Sequence, residues 1–304
     1  NRAVGGLYSS GSTVKPFIAL GALNEKIINA NTTVYSSGEI RVPNPYNKEL
    51  FTVFRDWKKG GHGTTDVTKA IAESVNTFFY AIGGGYEGQA GLGISRIEKY
   101  IKLFEIGDKT GVDILGEVSG VVPGPEWKKK VFDGDAWRLG DTYNTSIGQY
   151  GFQTTPVQML RAISAMANNG TLVTPHVVLE KKMESVAIPE DFLLTDFELV
   201  REGMRKVVTE GTGGVLNVSY VDIAAKTGSA QTGAQNKFIN SWVVGFFPYE
   251  NPKYAFVVLM EKGPSEGERS ASFAARGFFD WMRDNTPEYF GEPVIPETPE
   301  LPID

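Results

Sequence analysis

The 304-residue chain contains no cysteine and only two histidines. Without a thiol it can form no disulfide, no thiolate metal site and no thiol nucleophile, and cysteine usage leaves its redox compartment open. Positive charge is scarce as well: 30 Lys and Arg stand against 36 Asp and Glu, a formal net charge of -6. A strong positive field that could hold phosphates is therefore missing, and nucleic acid is not an expected partner. No apolar run reaches the roughly 18 residues that a membrane span needs. Asn1-Arg2-Ala3 is not followed by the charged-then-apolar pattern of a signal peptide.

What remains is an ordinary globular composition, 41% hydrophobic and 22% charged, long enough for one large domain or two small ones. Residues 17–23 predict a buried helix opening just after Gly11-Ser12, with Pro16 tolerated in its first turn. Residues 34–63 are polar and proline-bearing. Residues 67–73 and 77–82 predict two short helices hinged at Ser74-Val75-Asn76, with Asn76 capping the second. The glycine-rich 83–93 and the Gly-, Pro- and Trp-rich 116–140 predict loops, and 155–169 returns to helical spacing. Thr195-Asp196-Phe197-Glu198 has a capping-box pattern for a helix ending near Gly211. Residues 221–225, 241–247 and 254–260 are β-rich and predict adjacent antiparallel strands, followed by an amphipathic helix over 271–283.

Three short motifs occur in order: Ser12-Thr13-Val14-Lys15, Ser74-Val75-Asn76 and Lys226-Thr227-Gly228. Each alone is weak, and the set is known from penicillin-binding proteins and class A β-lactamases. A serine hydroxyl needs a base within reach, and a lysine one helical turn away serves if it is neutral. Burial and a second cation push a lysine pKa down, and Lys226 can supply that cation from a strand edge, so the two lysines titrate together. Ser74 can relay protons to a leaving amine and Asn76 can hold a substrate peptide. Thr227 and Ser229 present hydroxyls to a carboxylate, while Gly228 lets a substrate approach the backbone closely. The backbone N–H groups of Ser12 and Ser229 can form an oxyanion hole. The bland alternatives are a helix cap with a surface lysine, a capped inter-helix turn and a strand ending in a turn.

At these residues the sequence resembles the class B penicillin-binding proteins and, within them, the elongation-type penicillin-binding protein 2 subgroup. Gly11-Ser12-Thr13-Val14-Lys15-Pro16-Phe17 is similar to the family's nucleophile segment, although Ser9-Ser10 stand where family members usually carry two prolines. Arg55-Asp56-Trp57 with Gly61-His62-Gly63, Gly116 to Gly120 with Pro123, Ser146-Ile147-Gly148-Gln149 and Thr155-Pro156-Val157-Gln158 resemble further signatures.

The resemblance implies an α/β (α+β) transpeptidase fold, an antiparallel sheet flanked by helices plus a mainly helical subdomain. It implies one domain over 1–286, helical over about 12–210 and sheet-bearing over about 215–286, then a Pro- and Glu-rich solvated tail over 287–304. Ser12 is implied as nucleophile, Lys15 as base, Ser74 and Asn76 as the second motif, and Lys226 with Thr227, Gly228 and Ser229 as the carboxylate-binding edge. The implied substrates are peptidoglycan stem peptides ending in D-Ala-D-Ala, with β-lactams acylating the same serine and a membrane glycan polymerase as partner. No cofactor is implied. Some homologues bind zinc near the second motif; here Val75 stands where a cysteine ligand would, so Asp56 and His62 are expected to be structural and no metal is assigned. The family places a membrane anchor, a pedestal and the first strands of the sheet ahead of the nucleophile, so an extracytoplasmic, membrane-anchored, longer protein is expected. A serine β-lactamase or D,D-carboxypeptidase and a non-enzymatic β-lactam sensor remain alternatives, although the Glu-x-x-x-Asn of class A β-lactamases is not found after the second motif.

Overall fold

The computed structural model describes residues 1–44, 47, 49–232, 237–264 and 270–290. After a short α1 (Arg2–Gly5), a 3-10 turn over Gly11–Val14 runs directly into α2 (Lys15–Asn24). Every side of α2 is buried from Lys15 to Leu23, which fits its almost uninterrupted apolar sequence. It packs against α4 (Asn76–Gly84), α5 (Ile94–Leu103) and α9 (Leu194–Thr209). Phe17, Ile18 and Leu20 are fully buried there, each stabilising the fold by about 1.5–3 kcal/mol.

The stretch over 34–63 is more ordered than its polar composition suggests. It holds β1 (Val34–Ser36), β2 (Glu39–Pro43) and β3 (Phe51–Arg55), with β4 (Gly63–Thr65) closing it. β2 pairs with β3 and β1 with β4, both antiparallel. Then come α3 (Val67–Ala72) and α4, and the glycine-rich connection from α4 to α5 is a turn as predicted. Within the predicted 116–140 loop lies α6 (Pro125–Val131). Pro125 at its first position, Glu126 in the first turn and three lysines in the last suit a helix start and its dipole. Lys128 is 2% exposed and paired to Asp141 at 2.6 Å, so the lysine run is not simply a solvated face.

Helices α7 (Leu139–Ser146) and α8 (Pro156–Ala167) follow, then the hairpin of β5 (Thr171–Val173) and β6 (Ser185–Ala187). A capping box forms at Thr155 and Gln158 of α8. The one expected at Thr195 does not, because α9 begins earlier, capped at Leu193, and leaves Thr195 inside the helix.

The sheet is β7 (Ala224–Thr232), β8 (Phe238–Phe247) and β9 (Tyr254–Pro264), antiparallel in that order among the described residues. β7 starts later than predicted and contains the whole Lys226 to Ser229 motif, which is paired from Lys226 with Val244 to Ser229 with Ser241. Side chains alternate across β8: Trp242, Val244 and Phe246 enter the main core, while Val243 and Phe247 enter a second core under α10 (Ala271–Asn285). Helix α8 thus covers one face and α10 the other. Pro287–Phe290 forms a 3-10 turn that is exposed up to Tyr289, while Phe290 packs on Tyr220 and Phe247. The remainder of the predicted tail, 291–304, lies outside the described residues.

Candidate active site

The three motifs converge. Ser12, Ser74, Asn76, Thr227, Gly228 and Ser229 line one cavity of about 340 Å³, and Lys15 and Lys226 lie beneath it, fully buried. The 3-10 geometry of Gly11–Val14 sets residues three apart over one another, so Ser12 and Lys15 share a face.

Two glycines press the Ser12 turn onto β7. A Cβ on Gly11 would lie 3.0 Å from the Ser229 carbonyl oxygen, and one on Gly228 would lie 2.8 Å from Thr13 Cγ2 and 2.9 Å from the Ser10 oxygen. The room that Gly228 leaves is thus filled by this chain's own Ser10 and Thr13, although Gly228 also borders the cavity. Gly148, with φ of 73°, makes a similar close approach: a Cβ there would lie 2.1 Å from the Gly11 oxygen. Gly11 N–H donates to the Gly148 oxygen at 3.1 Å, which ties the Ser146 to Gln149 turn to the nucleophile segment.

Ser74 sits at the sharp corner between α3 and α4 with φ of 56°, a left-handed conformation that costs energy in a residue with a side chain. The corner points both its carbonyl and its hydroxyl at Lys15, whose amine donates to Ser74 O at 2.7 Å, Ser74 Oγ at 3.2 Å and Asn76 Oδ1 at 2.7 Å. Lys226 Nζ donates to the same Ser74 Oγ at 3.0 Å and to Thr227 O at 2.9 Å. One hydroxyl therefore joins two buried amines. Among the described residues the Lys15 amine is engaged by Ser74 and Asn76 and not by Ser12. Burial pushes Lys15 well below the ordinary lysine value, the charge of Lys226 lowers it further, and Asp56 partly opposes both. Burial alone brings Lys226 down to about 7.

Asn76 is not the cap of α4. Val75 holds that position and Asn76 is the first helical residue, which leaves its amide free for Lys15. The first turn is served instead by Asp56, whose Oδ2 accepts from Thr77 N–H at 3.0 Å and Thr77 Oγ1 at 3.2 Å. His62 bridges Asp56 at 3.3 Å and Glu73 at 2.5 Å through its two ring nitrogens. Both nitrogens are thereby engaged by carboxylates, and no cluster of three or more metal-ligating side chains suited to an ion occurs among the described residues.

Sequence reasoning assigned no role to Trp57, Ile147, Gln149, Thr212, Ser270 and Ser272, all of which line the cavity. Trp57, Ile147 and Gln149 belong to the signature segments, so the signal was present but not read as a wall. Thr212 lies between Gly211 and Gly213, a close-approach pattern that marks a constrained loop. Ser270 and Ser272 stand at the start of α10, and only the return of that helix onto the sheet brings them in.

Comparison with known proteins shows the family. The family model described as penicillin binding protein transpeptidase domain matches residues 1–278. The peptidoglycan D,D-transpeptidase MrdA of Acinetobacter baumannii is 36% identical over 303 residues, covering 92% of this chain and 43% of that protein. The solved complex between penicillin-binding protein PBP2 and MreC from Helicobacter pylori matches with a TM-score of 0.80 and 33% identity, covering 93% of this chain and 51% of that one. A structure described as a peptidoglycan synthase complex coordinating polymerization and crosslinking matches with a TM-score of 0.77 and 27% identity, covering 98% and 48%. The chain spans less than half the length of the curated transpeptidases it matches.

Proposed function

The chain belongs to the penicillin-binding protein transpeptidase family, and from that premise we propose that it is the catalytic part of a peptidoglycan D,D-transpeptidase acylated at Ser12. The observation that carries this reading is the pair of buried amines joined by Ser74 under the Ser12 cavity. Among the described residues neither amine has a carboxylate hydrogen-bond partner, and burial lowers both, which favours in Lys15 the neutral form that a base requires.

In this mechanism Ser12 Oγ attacks the carbonyl carbon of the penultimate D-Ala as its proton passes to Lys15. Contacts between base and nucleophile that are loose in a ligand-free site tighten when substrate binds. The backbone N–H groups of Ser12 and Ser229 hold the oxyanion, a role supported by the tight seating of the nucleophile turn on β7. Collapse breaks the C–N bond, and the departing D-Ala nitrogen takes a proton from Ser74, which is resupplied by the lysines. Thr227, Ser229 and the Lys226 charge hold the terminal carboxylate, and Asn76 the peptide backbone. An amine of a neighbouring stem then attacks the acyl-enzyme, forms the cross-link and restores Ser12.

The protein would work at the outer face of the cytoplasmic membrane, in cell-wall elongation beside a glycan polymerase. Its likeness to PBP2 and to a synthase complex supports that placement. A fluorescent penicillin should label the protein at Ser12 and stay bound for many minutes; rapid drug turnover would instead identify a β-lactamase. Ser12→Ala in the full-length protein should abolish cross-linking in a reconstituted assay. Cross-linking that survives this substitution would exclude the enzyme reading and leave a sensor.

A further inference from the structure

Among the described residues the cavity has no charged side chain in its wall, and the two lysines reach it only from below, the Lys226 amine being directed at Ser74 and Thr227 O and that of Lys15 at Ser74 and Asn76. A substrate carboxylate entering this space is attracted by the Lys226 charge from below but meets hydroxyl protons at the wall, and the direction of those protons decides how well it is held. Thr227 Oγ1 and Thr212 Oγ1 are 2.6 Å apart. Two hydroxyls at that separation share a single proton between them, so one is a donor to the other and only the second is free to donate elsewhere.

Thr212 is held in a loop tied to two helices. Its N–H donates to Ala72 O at 3.2 Å, and a Cβ on the preceding Gly211 would lie 2.1 Å from that same Ala72 oxygen. Gly213 N–H donates to Val207 O at 2.8 Å, which fixes the other side of the loop to α9. The loop is thus pressed onto the end of α3, two residues before Ser74, while its hydroxyl reaches the third motif. It spans the two motifs that flank the cavity.

We propose that Thr212 is a positioning residue for recognition of the substrate carboxylate: it donates to Thr227 Oγ1 and so turns the Thr227 proton into the cavity. A donor that is itself an acceptor gives the stronger hydrogen bond, and the Thr227 rotamer no longer has to be ordered when the substrate arrives. This rests on the reading of Ser12 as the acylated serine and deepens it.

The test compares acylation of the protein by benzylpenicillin, which presents a carboxylate, with acylation by its methyl ester, which does not. Thr212→Val should lower the second-order acylation constant for benzylpenicillin roughly 10-fold, as loss of support for a hydrogen bond to a charged group, and leave the ester constant within about 2-fold. Thr212→Ser should restore the ratio. Thr227→Val should lower it at least as far, and the double variant should be no worse than Thr227→Val alone, because both act through one hydrogen bond. Equal losses for acid and ester in Thr212→Val, no loss for either, or additive losses in the double variant would overturn the proposal. If the unsubstituted protein is not acylated at Ser12 at all, the parent reading fails and the role of Thr212 with it; if it is acylated and the ratio does not move, only the role of Thr212 fails.

Discussion

Lys226 donates across 3.0 Å to the hydroxyl of Ser74, a residue 152 positions away in the chain. That single contact closes a bridge between strand β7 and the α3–α4 corner, since the same hydroxyl lies 3.2 Å from Lys15. Protonation of either amine is thereby felt by the other through one oxygen, and the base beside the nucleophile depends on the far end of the fold.

Ser74→Gly separates the hydroxyl from the backbone that carries it. Glycine adopts the φ of 56° without cost, and the Ser74 carbonyl that receives Lys15 is kept. The variant should fold, with stability lowered by about 1–3 kcal/mol because two buried amines lose an acceptor, while penicillin acylation falls roughly 10²- to 10⁴-fold, the usual contribution of a proton-transfer group. Calorimetry and stopped-flow labelling on the same preparation check both halves.

The pH dependence of acylation should expose the two amines. Lys15, held well below the ordinary lysine value by burial and by Lys226, is the base and must be neutral, so the rate rises at a pH well below that value. Lys226, brought down to about 7 by burial, must be charged to attract the carboxylate, so the second-order constant for the free enzyme should decline as pH rises through about 7. Lys226→Arg, which cannot be deprotonated in this range, should flatten the alkaline limb in whatever activity it retains.

Stability should move in the opposite sense. In the unfolded chain both amines keep their protons up to about 10.5, whereas the folded protein releases them at lower pH. Between about 7 and 10 the unfolded state therefore binds more protons, and stability rises with pH, by about 2–3 kcal/mol from Lys226 alone between pH 7 and 9. Below 7 the charged Lys226 is buried at its full cost. Urea midpoints across this range should show the rise, and Lys226→Met should reduce its slope.

Much of this site is legible in the chain because its chemistry is local: Ser12 and Lys15 are set by a single turn, and Ser74 and Asn76 by one corner. The sheet and its order were readable for the same reason, since β-branched and aromatic runs mark β8 and β9 plainly. What was not legible depends on contacts between distant segments. The role of Gly228 was read as room for a substrate, but the neighbour that fills it, Thr13, comes from the other end of the chain. Asn76 looked like a helix cap until Lys15 engaged its oxygen and Asp56 took over the first turn. The strands over 34–55 escaped notice because they form short, half-exposed pairings, β2 with β3 and β1 with β4, without a clear alternation.

Ser10 offers a smaller test. Its hydroxyl is fully buried and has no hydrogen-bond partner among the described residues, at a position where the family usually has proline. Removing an unsatisfied buried hydroxyl is neutral or favourable. Ser10→Ala should therefore raise stability by up to about 1 kcal/mol, measured by urea unfolding, with penicillin acylation unchanged.

Gly228→Ala should do the reverse and damage acylation more than folding. The added methyl would meet Thr13 Cγ2 at 2.8 Å and the Ser10 oxygen at 2.9 Å, distances that force one element to move. β7 is locked into a nine-residue ladder with β8, so the 3-10 turn bearing Ser12 is the part that yields. Overpacking of this kind costs about 1–3 kcal/mol, yet a displacement of only about 1 Å at the nucleophile can cost roughly 100-fold in rate. Thr13→Ser in the same chain removes one of the two clashing atoms and should recover part of the lost acylation. If Gly228→Ala labels at the normal rate, the close seating of the nucleophile turn on β7 is not what aims Ser12.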